Sequence, residues 1–127
     1  MPDDFRACRN HPKNNAFIGL AFEEIAAEFL RNNYRVGKWW HKDTEIDLVG
    51  VRKGEVAFFE VKWRDMGYGD AIKVLQRLEE KAEAVELKGK RSYGVIARKI
   101  EGKEKLRDYP VYDLSNLSER NHKISRD

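Results

Sequence analysis

The chain has almost none of the residues that build covalent or metal crosslinks, and it lacks any long apolar run. Cys8 is its only cysteine, which excludes an intramolecular disulfide and a zinc site built from cysteines. Its apolar runs cover only a handful of residues, so no membrane-spanning helix is expected. The first fifteen residues do not contain the apolar stretch of a secretory signal. A reduced, cytoplasmic setting is the expectation that follows.

Charge is abundant and nearly balanced. Lys and Arg number 25 and Asp and Glu number 22, which gives a net charge of +3 over 127 residues. This balance is compatible with nucleic-acid binding but does not demonstrate it. The apolar fraction of 41% suffices for one core. We expect a flexible lead-in over residues 1–15, a single domain over residues 16–117 and a disordered tail over residues 118–127.

Hydrophobic periodicity predicts two helices. The first covers about residues 16–32, with Asn14 or Asn15 as its N-cap. The second covers about residues 71–88 and ends at Gly89. The apolar stripe of the first helix contains Ile18, Phe22, Ile25, Ala26, Phe29 and Leu30, and that of the second contains Ala71, Leu75, Leu78, Ala82 and Val85.

Two β-rich runs flank the segment Arg52-Lys53-Gly54, which is typical of a hairpin turn. We predict strands over about residues 45–51 and 56–63, and a loop over residues 64–69. Shorter strands are expected at Trp39-Trp40, at residues 93–97 and at residues 111–114. The strand–helix–strand order after the hairpin makes its last two strands parallel neighbours. The prediction is an α/β fold with helices packed on a central mixed sheet.

Asp47, Glu60 and Lys62 form the group of residues that points to chemistry. Because Asp47 precedes the hairpin and Glu60 follows it, paired strands bring the two carboxylates side by side. Neighbouring carboxylates repel unless a cation lies between them, and Mg²⁺ prefers carboxylates, waters and phosphate oxygens. Lys62 points to the same side as Glu60, where it can orient an attacking water or stabilise charge on phosphorus. These are the parts that phosphodiester hydrolysis needs.

An alternative interpretation is that Glu60 and Lys62 only line the solvated face of an antiparallel sheet. Phe58 shares their face and Phe59 lies on the other one, so both faces are apolar and the strand is predicted to be central. Central strands rarely carry unpaired charge. On the first helix, Glu23 lies on the flank of the apolar stripe and can approach the sheet, whereas Glu24 points to the opposite side.

The segments EIDLVG and FFEVKW resemble the split active-site motif of the PD-(D/E)XK nuclease superfamily, an Asp followed by Glu-x-Lys on the next strand. GLAFEEIAAEFL resembles the helix that precedes this motif. The wider segment GKWWHKDTEIDLVG…FFEVKWRDM resembles especially the nuclease-like domain found C-terminal to certain archaeal ATPases, and more distantly archaeal Holliday-junction resolvases. The resemblance covers residues 18–98.

This resemblance implies a restriction-endonuclease-like α/β/α core and an endonuclease that hydrolyses DNA, with branched or junction DNA as one substrate class. Carried over residue by residue, it makes Asp47 and Glu60 metal ligands together with the Val61 carbonyl, Lys62 the catalytic lysine and Glu23 an accessory acid. The implied cofactor is Mg²⁺ or Mn²⁺, and a homodimer would suit cutting of two strands. The alternative is a nuclease-derived module that binds DNA or regulates a partner ATPase without cutting.

Residues 88–107 hold eight basic and two acidic side chains. They are either a phosphate-contacting surface or an ordinary solvated turn region. We expect the three tryptophans to pack in the core, with base stacking as the alternative. Gln76 is expected on the surface, although relatives often place a polar active-site residue on this helix. Glu45 is expected to be an exposed residue at a strand entry, with a water-mediated metal ligand as the alternative. The candidate nucleic-acid contacts are Lys88, Lys90, Arg91, Arg98 and Lys99.

Overall fold

The computed structural model describes residues 13–118. None of the helices in this range has the length and hydropathy needed to cross a bilayer. Residues 114–118 are also helical. The other elements, in chain order, are α1 (Lys13–Leu30), β1 (Arg35–His41), β2 (Thr44–Arg52), β3 (Glu55–Met66), α2 (Tyr68–Ala82), β4 (Lys90–Ile100), a 3₁₀ turn (Lys103–Lys105) and β5 (Val111–Tyr112).

The five strands form one mixed sheet in the order β1-β2-β3-β4-β5. β1, β2 and β3 pair antiparallel, whereas β3 with β4 and β4 with β5 pair parallel. The helices α1 and α2 cover opposite faces of this sheet. The predicted α/β class, with a central mixed sheet flanked by helices, is confirmed, as is the parallel pairing of the strands on either side of α2.

The middle strand, β3, is buried on both faces. Ala57 and Phe59 pack under α1, whereas Val56 and Phe58 pack under α2. Glu60 continues the α2 face and is only 5% exposed. The alternation read from the sequence therefore holds, and it places a carboxylate inside the layer between β3 and α2.

The pairing of β2 with its neighbours is irregular around Asp47. The β2–β3 ladder runs from Arg52–Glu55, across a two-residue turn in which Gly54 has φ 74°, up to Leu48–Phe59. Between the pairs Gly37–Val49 and Trp39–Ile46, β2 contains one residue more than β1. Asp47 lies in this bulge, where the ladder with β3 ends, and bulges of this kind redirect a side chain.

The element bounds differ from the predicted ones. α1 includes Asn14 and Asn15, so neither is the N-cap, and residues 13–15 are helical rather than part of a lead-in. α2 is shorter than predicted, although its predicted stripe is buried. β3 continues to Met66, where a loop was expected, because β4 extends alongside and pairs with it. The rest of the lead-in and residues 119–127 of the tail lie outside the described range.

Three predicted core residues are exposed. Ile18 and Ile25 are 39% and 47% exposed because α1 approaches the sheet through a narrow stripe that includes Ala26 and Ala27. Trp40 is 67% exposed because it lies on β1, an edge strand of the sheet. The core-packing prediction is therefore wrong for Trp40. It holds for Trp63, whose ring lies 5.0 Å from that of Phe22, and in part for Trp39, which packs half-buried on the α2 side.

Candidate functional site

Glu60 is the buried carboxylate at the centre of the site. Its Oε2 accepts a hydrogen bond from Lys81 Nζ at 3.1 Å, and its Oε1 lies 3.9 Å from Lys62 Nζ. The Lys81 ammonium also donates to the backbone carbonyl of Glu45 at 3.0 Å. The last turn of α2 is therefore fastened to both β2 and β3 by one side chain.

Asp47 approaches Glu60 from the neighbouring strand. Its Oδ2 accepts a hydrogen bond from the Val61 backbone N–H at 2.9 Å, which fixes the carboxylate against β3. Burial raises the pKa of Glu60, and the negative charge of Asp47 raises it further, whereas Lys81 and Lys62 act in the opposite direction. The structure thus brings together the aspartate, the glutamate and the lysine that the sequence singled out.

Glu23 lies on the other side of Asp47, between α1 and the sheet. Both side chains line a cavity of about 170 Å³, and Glu23 Oε1 accepts a hydrogen bond from Lys38 Nζ at 3.3 Å. Burial lowers the pKa of Lys38, but Glu23, and more weakly Glu45 and Asp47, outweigh that effect and raise it. Glu24, expected to point away, lines the same cavity from an exposed position.

A second, smaller cavity of about 80 Å³ lies between β3 and α2. Sequence reasoning missed its two cationic residues on α2, Arg77 and Lys81, and singled out only Gln76 on that helix, which is exposed as expected. The spacing of Arg77 and Lys81, four residues apart, was the available signal because it places both side chains on one helix face. The cavity is lined by Glu60, Lys62, Val74, Arg77, Leu78 and Lys81.

The predicted basic surface along β4 is not one surface. Lys90 and Lys99 lie near opposite ends of β4, about 30 Å apart at the usual rise per residue. Arg91 donates to the carbonyls of Ala82 and Val85 at 2.7 Å each, so it caps the end of α2. Two further predicted contacts also divide between the ends: Lys88 is exposed just before the strand, and Arg98 is paired with Asp65 at 2.8 Å. A nucleic-acid role for the five stays a prediction.

The acidic side chains of the site can be compared with the ligands that Mg²⁺ or Mn²⁺ prefers. Asp47 and Glu60 provide two hard carboxylates, of which Asp47 raises the pKa of Glu60, and Mg²⁺ is commonly held by one or two carboxylates plus waters and substrate phosphates. Within residues 13–118 there is no group of three or more His, Cys, Asp or Glu side chains able to hold an ion. The two-carboxylate set fits Mg²⁺ or Mn²⁺, while the role predicted for the Val61 carbonyl stays a prediction.

Comparisons with known proteins place the chain in a family. The family model described as Archaea bacterial proteins of unknown function, DUF234, matches residues 8–84. An uncharacterized protein of Methanocaldococcus jannaschii is 33% identical over 117 residues, which cover 82% of this chain and 26% of the relative. The chain therefore spans about a quarter of that relative's length.

Among solved structures, the chain is similar to a repair endonuclease from Pyrococcus abyssi, with a TM-score of 0.48 and 12% identity over 76% of this chain and 44% of that one. The family match, by contrast, extends over more than half of the present sequence and includes Glu23, Asp47, Glu60 and Lys62. The chain belongs to the family of archaeal and bacterial proteins of unknown function, DUF234.

Proposed function

We propose that the chain is a divalent-metal-dependent endonuclease domain that hydrolyses phosphodiester bonds in DNA, with Asp47, Glu60 and Lys62 as its reacting groups. The observation that carries this proposal is the hydrogen bond from the Val61 N–H to Asp47, which holds one carboxylate against β3 at the residue that follows the buried Glu60. Lys62 adds an ammonium 3.9 Å from Glu60. Two acids, a metal and a lysine are the groups that this hydrolysis requires.

Each side chain has a role that its surroundings support. Asp47 and Glu60 would hold Mg²⁺ or Mn²⁺, which when bound supplies a Lewis acid for the phosphoryl oxygen and lowers the pKa of water. The Lys62 side chain is 37% exposed, so its ammonium can reach a substrate and stabilise negative charge that develops on the phosphate. Glu23 shares a cavity with Asp47 and acts as the accessory acid.

The substrate side of the proposal is supported by Trp40. Its ring is exposed on the same strand as Lys38, two residues along, so both side chains lie on the same side of β1. Exposed aromatic rings beside a cation stack on unpaired bases without sequence preference. Branched or junction DNA is the substrate class that offers such bases next to duplex, and a homodimer would allow both strands to be cut.

Cleavage assays with the purified full chain test the proposal directly. Linear, flapped and four-way DNA are incubated with Mg²⁺ or Mn²⁺, and we expect product from the wild type but not from Asp47→Asn, Glu60→Gln or Lys62→Gln. Asp108→Asn, an exposed residue between β4 and β5, is the matched control and should cut normally. Full activity of a rigorously purified Asp47→Asn protein, or no product from the wild type on any substrate, contradicts the proposal.

A second candidate is a nuclease-like module that binds DNA or serves a partner ATPase without cutting. The observation in its favour is that Glu60 is already paired with Lys81 at 3.1 Å and lies 3.9 Å from Lys62, so cations of the chain itself lie next to this carboxylate. The same assays separate the two candidates. DNA binding that weakens with salt, together with no product in either metal, favours the binding module.

A further inference from the structure

The small cavity between β3 and α2 contains three cationic side chains and a single acid. We propose that this cavity is a phosphate subsite, in which Arg77 and Lys81 of α2 contact the DNA backbone beside the phosphodiester handled by Asp47 and Glu60. The inference rests on the proposed function and extends it by naming how the substrate strand is held. It assigns α2 to substrate binding in addition to core packing.

The charges in this cavity do not cancel. Lys62 and Lys81 both lie within ion-pair distance of Glu60, so one carboxylate is shared by two ammonium groups. Arg77 adds a third positive charge, and Glu60 is the only acid among the lining residues within the described range 13–118. The cavity therefore has an excess of two positive charges. A phosphodiester carries one negative charge per nucleotide, so a nucleic-acid strand is the kind of anion that restores the balance.

The arrangement of the cations suits a phosphate. Arg77 lies one helical turn before Lys81, so the two side chains are neighbours on one face of α2. The guanidinium fork can bind two phosphate oxygens at once, whereas the ammonium acts as a point charge. Val74 and Leu78 form an apolar wall of the cavity, and charge interactions beside such a wall are less screened than in open water.

The cavity on the opposite side of the sheet has the reverse composition. Its charged lining residues are three acids, Glu23, Glu24 and Asp47, and two bases, Arg31 and Lys38. A polyanion approaching from that side meets net negative charge. The phosphate backbone is therefore attracted more strongly to the α2 cavity, which Glu60 lines, than to this cavity, which Asp47 lines.

Binding measured without metal tests the subsite separately from catalysis. Fluorescence anisotropy of labelled DNA with the full chain, in EDTA and from about 50 to about 200 mM salt, gives the slope of log affinity against log salt. Arg77→Gln should weaken binding about threefold to tenfold and reduce the slope by about 0.7 to 0.9, the loss of one phosphate contact. Lys53→Gln, in the hairpin turn at the far end of β3, is the control and should change neither value.

A change at Glu60 is expected to shift DNA affinity in the opposite direction from Arg77→Gln. Glu60→Gln removes the only negative charge of the cavity, so it should tighten DNA binding in EDTA several-fold while abolishing cleavage. The double variant Glu60→Gln/Lys81→Gln, compared with Glu60→Gln alone, isolates the contact of Lys81 with DNA, because a neutral amide at position 60 no longer needs a cationic partner. It should bind about threefold to tenfold more weakly than the single variant, with a smaller salt slope.

The outcomes distinguish a failure of the phosphate subsite from a failure of the proposed nuclease function. Salt-dependent binding by the wild type that Arg77→Gln leaves unchanged, or a failure of Glu60→Gln to tighten binding, overturns the subsite and leaves the proposed nuclease standing. No salt-dependent binding by the wild type overturns the subsite together with the DNA substrate of the proposed function. If circular dichroism shows that the double variant is unfolded, Arg77→Gln decides the matter, because Arg77 is exposed.

Discussion

Glu60 and Asp113 are equally buried, at 5% exposure each, and each is paired with a lysine from another part of the chain. Their pKa values nevertheless move in opposite directions. Burial opposes the ionisation of Asp113, but hydrogen bonds from the Ser115 hydroxyl at 2.6 Å, Lys103 Nζ at 2.9 Å and the Ile100 N–H at 3.1 Å outweigh it and lower the pKa.

Glu60 lacks such a set of donors. Burial raises its pKa, Asp47 raises it further, and the two lysines only partly compensate. The difference teaches that Asp113 is a structural carboxylate, which fastens β4 to the helical residues 114–118, whereas Glu60 is kept in an environment that disfavours its own charge. Charges held under such conditions are typical of functional sites.

The largest expected effect is a loss of DNA cleavage when Glu60 is changed, which distinguishes Glu60 from Asp113. Glu60→Gln should reduce DNA cleavage about 100-fold or more, because an amide cannot replace the carboxylate in the reaction. It should not lower the thermal unfolding midpoint, because the amide still accepts the hydrogen bond from Lys81 and no longer has a buried charge. Cleavage rates and melting curves on the same preparations measure both. Glu79→Gln, exposed on α2, is the control.

Asp113→Ala should have the reverse profile. It leaves the Ile100 N–H and the Ser115 hydroxyl without the carboxylate that accepts from them and removes one of the acceptors of Lys103, so the free energy of unfolding should fall by about 2 kcal/mol. Cleavage per folded molecule should be unchanged. Urea unfolding measures the loss, with Asp108→Ala as the exposed control. A loss of cleavage without a loss of stability would contradict the structural role assigned to Asp113.

The pH dependence of stability sharpens the comparison further. A lowered pKa at Asp113 gives stability that is present above the ordinary aspartate range, about pH 4, and lost as the pH falls through the folded value. A raised pKa at Glu60 gives the opposite: its contribution is full below the ordinary glutamate range and lost as the pH rises through the folded value.

Urea unfolding over a series of pH values measures these two dependences. The stability of Glu60→Gln relative to the wild type should grow as the pH rises above about 4, because the wild type then carries the disfavoured charge. The deficit of Asp113→Asn should shrink as the pH falls below about 4. If the difference in unfolding free energy between each variant and the wild type is the same at every pH, the opposite pKa shifts of Glu60 and Asp113 are contradicted.

The smallest expected effect concerns Glu23. Because Glu23 is held by Lys38 and reaches Asp47 only across a shared cavity, Glu23→Gln should slow cleavage only about threefold, well below the roughly 100-fold or more that a direct general acid or base contributes. Steady-state cleavage kinetics measure the change. Glu28→Gln, on the same helix and paired with Arg31 on the surface, is the matched control. Equal effects of the two changes would remove Glu23 from the site.

Much of the fold could be predicted because its signals are local. The two-residue alternation along β3 and the glycine of the hairpin turn fix the strand faces and the register of β2 against β3. That register places Asp47 next to Glu60 along the paired strands, whereas the bulge at Asp47 and the hydrogen bond from the Val61 N–H fix where its carboxylate lies. The last residues of β3 were missed because their strand conformation depends on pairing with β4, from which they are separated by a whole helix.

The exposed and cationic residues around the site were harder to predict. Ile25 has the hydropathy of a core residue, and only the close approach of α1 through its alanines leaves it outside. Arg91 has the composition of a DNA contact, and only the nearby end of α2 makes it a cap. Both outcomes depend on which surfaces meet, and hydropathy or charge at a single position does not carry that information.

The sequence by itself determined the α/β class, the faces of the central strand and the meeting of an aspartate, a glutamate and a lysine, because these follow from periods of two and from one tight turn. Only the tertiary structure decided that Lys81 pairs with Glu60, that Arg77 lines the same cavity and that Lys38 holds Glu23. The reason is that these partners come from other elements, 15 to 21 residues away in the two hydrogen-bonded pairs, and are positioned by the packing of helices on the sheet.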